Sequence, residues 1–173
     1  MVRLVRAITT AFNALAALAI VFMMLNVAGT VIMRIVHAVT GGAVNLIWQG
    51  SIEMAVLSLT VVVFAALHGA FLVGAIKVDI FTEWLPPAVQ RVVDGLYGLL
   101  YAAFAGVMTW RFYQATATTF ERGDATQDLL MPLFYIYAFL TVACAALTVV
   151  ATLWSVATTV GIVRVATVST EGV

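Results

Sequence analysis

The order of apolar and charged residues divides the chain into four long apolar stretches. Residues 7–33, 54–76 and 129–163 contain no Asp, Glu, Lys or Arg, and residues 92–110 contain only Asp94. A helix needs about 20 apolar residues to cross the roughly 30 Å hydrocarbon core of a bilayer. Because the backbone finds no water there, each stretch is predicted to be an α-helix. The pattern therefore predicts an all-α integral membrane protein with spans at about 8–33, 53–74, 90–111 and 131–160.

The connections between these spans are short. Residues 35–51 mix Gly and amide side chains with apolar residues, and we expect them to form a short amphipathic interfacial helix with Trp48 at headgroup depth. The pair Pro86-Pro87 separates the second span from the third, because proline stops one helix and is tolerated in the first turn of the next. No connection has room for a second domain, so residues 1–173 are predicted to form a single four-helix membrane domain.

The third span carries small residues at a spacing of four, namely Gly98, Ala102 and Gly106. Small side chains at this spacing let another helix approach closely. We expect the span to end near Arg111, and residues 113–121 could extend the helix out of the membrane before Gly123 breaks it.

The basic residues predict an orientation. With four spans, one side of the membrane holds both termini and the second connection, and the other side holds the first and third connections. The first side has five basic residues and the second has three: Arg3, Arg6, Lys77, Arg91 and Arg164 against Arg34, Arg111 and Arg122. Since basic residues are enriched on the cytoplasmic side, both termini are predicted to be cytoplasmic.

Composition limits the chemistry. The chain is 64% hydrophobic and 9% charged with a net charge of zero, which gives no indication of nucleic-acid binding. The single Cys144 excludes an internal disulfide and a Cys-x-x-Cys pair. His37 lies at the outer end of the first span and His68 near the inner end of the second, so the two should lie at opposite faces of the membrane. This argues against a haem between them, and no cofactor or metal is predicted.

Catalysis and autonomous ion coupling are not predicted either. No nucleophile elbow, phosphate-binding loop or metalloprotease motif is present, so we do not expect an enzyme. A proton-coupled pump keeps a carboxylate in mid-membrane, because such a charge is costly and is retained for function. We expect Glu53 and Asp94 to lie at interface depth, and we expect no span centre to carry a charge.

The most specific pattern lies between the second and third spans. It consists of Gly74, Ile76, Lys77, Val78, Asp79, Ile80, Leu85 and Pro86. This segment resembles the signature of the DctQ-type small membrane subunit of tripartite ATP-independent periplasmic (TRAP) transporters. The family has a histidine where this chain has Ala75, so any role of that imidazole is absent. A glutamate at the start of the second span, here Glu53, also fits the family.

The resemblance implies a non-catalytic subunit in the cytoplasmic membrane of a bacterium or archaeon. Its partners would be a large sodium-coupled elevator subunit, a periplasmic substrate-binding protein that delivers a small organic acid, and membrane phospholipids. The subunit would brace the large subunit and hold no substrate. Alternatives are the small subunit of a tripartite tricarboxylate importer and an autonomous small oligomeric transporter. Eight residues are predicted to contact partners or lipid: Trp48, Glu53, Lys77, Asp79, Arg91, Gly98, Ala102 and Gly106.

Overall fold

The computed structural model describes residues 2–44, 48–74 and 86–160, and in this part the chain forms four α-helices. They are α1 (Val2–Val39), α2 (Ser51–Gly74), α3 (Pro87–Arg122) and α4 (Phe134–Thr159). All four are long and apolar enough to cross a membrane. The predicted all-α fold with four spans is confirmed.

Two helices extend well beyond the predicted spans. α1 begins at Val2 and continues to Val39, and α3 continues eleven residues past Arg111. The glycine at position 123 then ends α3, because its left-handed backbone (φ 67°) suits a residue without a side chain, and its N–H donates to the carbonyl of Thr119. The alternative in which residues 113–121 prolong the third helix is therefore the observed one.

The connection between α1 and α2 differs from the expectation in its described part. Residues 40–43 and 49–50 form turns and a bend, while residues 45–47 lie outside the described residues. The ring Nδ1 of His37 lies 3.1 Å from the carbonyl oxygen of Val44, close to the end of α1. The described residues of this connection contain no interfacial helix, and Trp48 is exposed.

The bundle consists of two helical hairpins. α1 packs along α2, α3 packs along α4, and α2 and α1 both contact α4. α2 reaches α3 through aromatic side chains, with Phe71 against Tyr101 (ring centroids 4.9 Å apart) and Phe64 against Phe112 (5.4 Å). The connections α1–α2 and α3–α4 thus lie at one end of the bundle, which we call the loop end.

A seam of mostly small residues joins α3 to α4. Along α3 the seam residues alternate at spacings of three and four: Gly95, Gly98, Ala102, Ala105, Thr109, Phe112, Thr116 and Thr119. Along α4 they do the same: Thr141, Cys144, Thr148, Ala151, Ser155 and Thr158. This is the seven-residue repeat of two helices that supercoil around each other. In lipid the hydrophobic effect does not drive two helices together. Small residues stabilise such a pair because they let the two backbones approach closely and gain van der Waals contact.

Hydroxyl groups bridge the same seam. The Ser155 hydroxyl donates to the carbonyl of Gly95 over 2.5 Å. The hydroxyls of Thr109 and Thr148 are 3.5 Å apart, and those of Thr116 and Thr141 are 3.3 Å apart. These contacts join the two helices at three levels of the seam and fix their register.

Candidate functional site

The carboxylate of Glu53 connects the two hairpins at the loop end. It accepts backbone N–H groups from three consecutive residues of the α3–α4 connection: Gln127 (3.0 Å), Asp128 (3.3 Å) and Leu129 (2.9 Å). Hydrogen bonds to an ionised acceptor are about twice as strong as neutral ones. One side chain of α2 thus holds a loop that lies about 75 residues further along the chain.

Local sequence explains why this contact forms. Glu53 lies in the first turn of α2, where the positive end of the helix dipole favours a carboxylate. The preceding Gly50 has φ 87°, and a Cβ built there would lie 2.8 Å from the side chain of Leu129. A glycine is therefore required at this position both by its backbone angle and by the approach of the loop.

Further hydrogen bonds tie the same end together. The side-chain amide of Asn26 on α1 donates to the carbonyl of Ser51 over 3.0 Å. Within the α3–α4 connection, the Thr126 hydroxyl accepts the N–H of Met131, and the Thr126 N–H donates to the Met131 carbonyl. The connection is thus a compact turn that presents its backbone N–H groups to Glu53.

A second polar group lies inside the bundle. His68 on α2 is fully buried, and its ring stacks on Phe12 of α1 with centroids 3.9 Å apart. Its Nδ1 lies 3.3 Å from the Ala65 carbonyl, while its buried Nε2 has no hydrogen-bond partner among the described residues. The sequence places His68 only near the end of a span, because its burial depends on the packing of α1 against α2.

The outward faces of the helices are largely apolar. On α3 a shallow groove of about 540 Å³ is lined by aromatic and aliphatic side chains: Tyr97, Leu100, Tyr101, Ala103, Phe104 and Val107. Within the described residues no group of three or more His, Cys, Asp or Glu side chains could hold a metal ion. His37 lies near the loop end and His68 near the opposite end of α2, as their positions in the antiparallel helices require.

The predicted contact residues have different locations. Gly98 and Ala102 are buried and Gly106 is half-buried, in a region where the approaching helix is α4 of the same chain. Lys77 and Asp79 lie outside the described residues, as does the side chain of Arg91. Contact of any of these residues, or of Trp48, with another subunit or with lipid stays a prediction.

Comparison with known proteins gives one family. The model of the family described as "Tripartite ATP-independent periplasmic transporters, DctQ component" matches residues 23–161, which is most of the chain. No curated protein and no solved structure matches.

Proposed function

Because the chain belongs to the DctQ component family of the tripartite ATP-independent periplasmic transporters, we propose that it is a non-catalytic small membrane subunit. In this proposal it braces a large sodium-coupled subunit. The imported solute would be a small organic acid delivered by a periplasmic binding protein. The membrane would be the cytoplasmic membrane of a bacterium or archaeon, with both termini in the cytoplasm.

The observation that carries this proposal is the use of the polar groups within the spans. Asn26, Ser155 and the threonine pairs of the α3–α4 seam bond within the bundle, and Glu53 holds the α3–α4 connection. Among the described residues, the acidic side chains of the helices lie near helix ends rather than at their centres. Such a bundle has no mid-span carboxylate with which to couple an ion to transport.

The bundle also suits a rigid support. Its two hairpins are joined at the loop end by a charged hydrogen-bond cluster and along α3–α4 by a close-packed seam. The exposed side chains of the helices are mainly aliphatic and aromatic, which fits both lipid and a larger helical partner. An elevator subunit needs a stationary partner of this kind while its mobile part crosses the membrane.

Deletion in cells that contain the other two components tests the proposal. We expect solute uptake to be abolished and to return when the chain is supplied from a plasmid. The purified chain in nanodiscs should show no saturable binding of solutes that the binding protein accepts. Undiminished uptake after deletion would refute the bracing role, and saturable binding by the isolated chain would favour the autonomous transporter.

A further inference from the structure

Arg111 lies about halfway along the length of the bundle rather than at the end of a span. The neighbouring Phe112 contacts Phe64, which is 13 residues from the start of α2 and 10 from its end. Two residues before Arg111, Thr109 contacts Thr148, which is 14 residues from the start of α4 and 11 from its end. Two neighbouring helices therefore place the Arg111 backbone level with their own midpoints.

A membrane boundary at Arg111 is incompatible with this register. It would leave only residues 64–74 of α2 inside the bilayer, about half of the length that a span requires. It would also place the exposed Ile52, Val56 and Leu59 in water. The hydrocarbon layer must therefore extend past Arg111 toward the loop end.

The side chain of Arg111 faces away from the bundle. Exposed residues recur along α3 at spacings of three and four: Leu100, Phe104, Val107, Arg111, Gln114 and Thr118. The end of this outer stripe that is farther from the loop end contains the apolar groove, and the end nearer the loop end carries polar side chains. Close to the same depth the outward residues of the other helices, such as Val63 on α2 and Val149 on α4, are apolar.

This chain offers Arg111 no nearby acid along its own helix. Asp94 and Glu121 are 17 and 10 residues away along α3, or about 26 and 15 Å at 1.5 Å per residue. The carboxylate of Glu53 is engaged with the α3–α4 connection. Helical side chains lean toward the N-terminus of their helix, so Arg111 leans away from the headgroups at the loop end. Snorkelling serves residues near helix ends and does not suit this position.

We propose that Arg111 anchors an interface between the outer stripe of α3 and the large membrane subunit, by pairing with a carboxylate that the partner carries within the membrane. This inference rests on the proposed function, which supplies the partner. An intramembrane charge is retained where it has a counter-charge, and bidentate pairing makes arginine suited to a carboxylate. The groove, one to three turns before Arg111 along α3, receives apolar side chains of the same partner. Gln114 and Thr118, on the side of Arg111 nearer the loop end, add hydrogen-bonding groups.

The same assignment strengthens the predicted orientation. With Arg111 inside the membrane, the side that holds the first and third connections retains Arg34 and Arg122. The basic bias toward cytoplasmic termini rises from five against three to five against two.

Co-purification of the intact complex tests the anchor. The tagged wild-type chain should retain the co-expressed large subunit, whereas Arg111→Leu should reduce the retained amount at least tenfold. Arg111→Lys keeps the charge but not the bidentate geometry, so it should recover only part of the retention. Arg122→Leu, a matched change at the exposed end of the same helix, should have no effect. Failure of the wild-type chain to retain the large subunit would refute the proposed function itself. Normal retention by Arg111→Leu, with wild-type retention intact, would refute the anchor alone.

Photocrosslinking identifies the group that faces the stripe. A photoreactive phenylalanine at Val107 should crosslink to the large subunit, and one at Val142 on the outer face of α4 should crosslink far less. Crosslinks from Val107 to phospholipid alone would overturn the proposal in favour of a lipid phosphate. An Arg111→Leu complex that assembles and crosslinks normally but loses uptake would overturn it in favour of a solute carboxylate.

Cysteine labelling tests the depth independently. In a Cys144→Ala background, an impermeant thiol reagent should label Arg122→Cys and leave Arg111→Cys unlabelled in intact membranes. Equal labelling of the two positions would place Arg111 at the surface and overturn the proposal.

Discussion

Replacing Glu53 should loosen the joint between the two hairpins. Its carboxylate accepts three backbone N–H groups at 2.9–3.3 Å, of which the bond to Leu129 is partly buried and the other two are exposed. Hydrogen bonds to charged groups contribute about 1.5–3 kcal/mol each when shielded, and less where water can replace the partner. Counting one shielded and two exposed bonds, Glu53→Ala should lower the free energy of unfolding by about 2–4 kcal/mol. Glu53→Gln keeps an acceptor oxygen but loses the charge and should cost roughly half as much.

Two measurements check this magnitude. Equilibrium unfolding of the purified chain by SDS in mixed micelles gives the change in free energy, with Glu121→Ala as a control in the exposed last turn of α3. Hydrogen exchange gives the local effect, since the amide of Leu129 should lose protection in Glu53→Ala and keep it in the control. The assigned role of the carboxylate would be refuted if Glu53→Ala were as stable as the Glu121→Ala control and the amide of Leu129 kept its protection in both.

Three further outcomes follow from the packing and the topology. Gly98→Ala should lower the free energy of unfolding by about 1–2 kcal/mol, because the new Cβ would lie 3.1 Å from atoms of α4. Gly106→Ala, where the nearest atom is 3.8 Å from the new Cβ, should be neutral or stabilising by up to ~1 kcal/mol in the same SDS titration. Equal destabilisation by the two substitutions would contradict the packing of the seam. His68→Ala should cost about 3–5 kcal/mol by opening a cavity, while His68→Leu should cost less because it fills the space without an unpartnered nitrogen; a larger loss for leucine would contradict this. In a Cys144→Ala background, an impermeant thiol reagent added outside cells should label Asp124→Cys and not Glu83→Cys, and the reverse result would invert the topology.

The four helices could be predicted from the sequence because uncharged runs of this length have one stable form in a bilayer. The second span is predicted to begin at residue 53, two residues from Ser51, where α2 begins. The end of the third span was placed at Arg111 because a charge interrupts the apolar run there. The helix continues for three more turns, and the depth of Arg111 depends on its register with Phe64 and Thr148, which no local pattern reveals.

The contacts of the loop end were also beyond the sequence. The sequence predicts only that Glu53 lies at interface depth at the start of the second span, whereas its hydrogen-bond donors come from a loop that is distant in sequence. The α3–α4 seam had a readable signal, since small residues alternate at spacings of three and four from Gly95 to Thr119. The spacing of four from Gly98 to Gly106 is only part of this pattern. The longer three-and-four pattern, in which only Phe112 is large, predicts close packing of another helix along most of α3.

Transport by reconstituted components tests the central claim most directly. The large subunit and this chain are inserted together into proteoliposomes, and solute-loaded binding protein is added outside under an inward sodium gradient. We predict sodium-dependent accumulation of solute with both membrane subunits, and background levels with either subunit alone. Accumulation by proteoliposomes that contain only this chain, or full activity of the large subunit without it, would contradict the account.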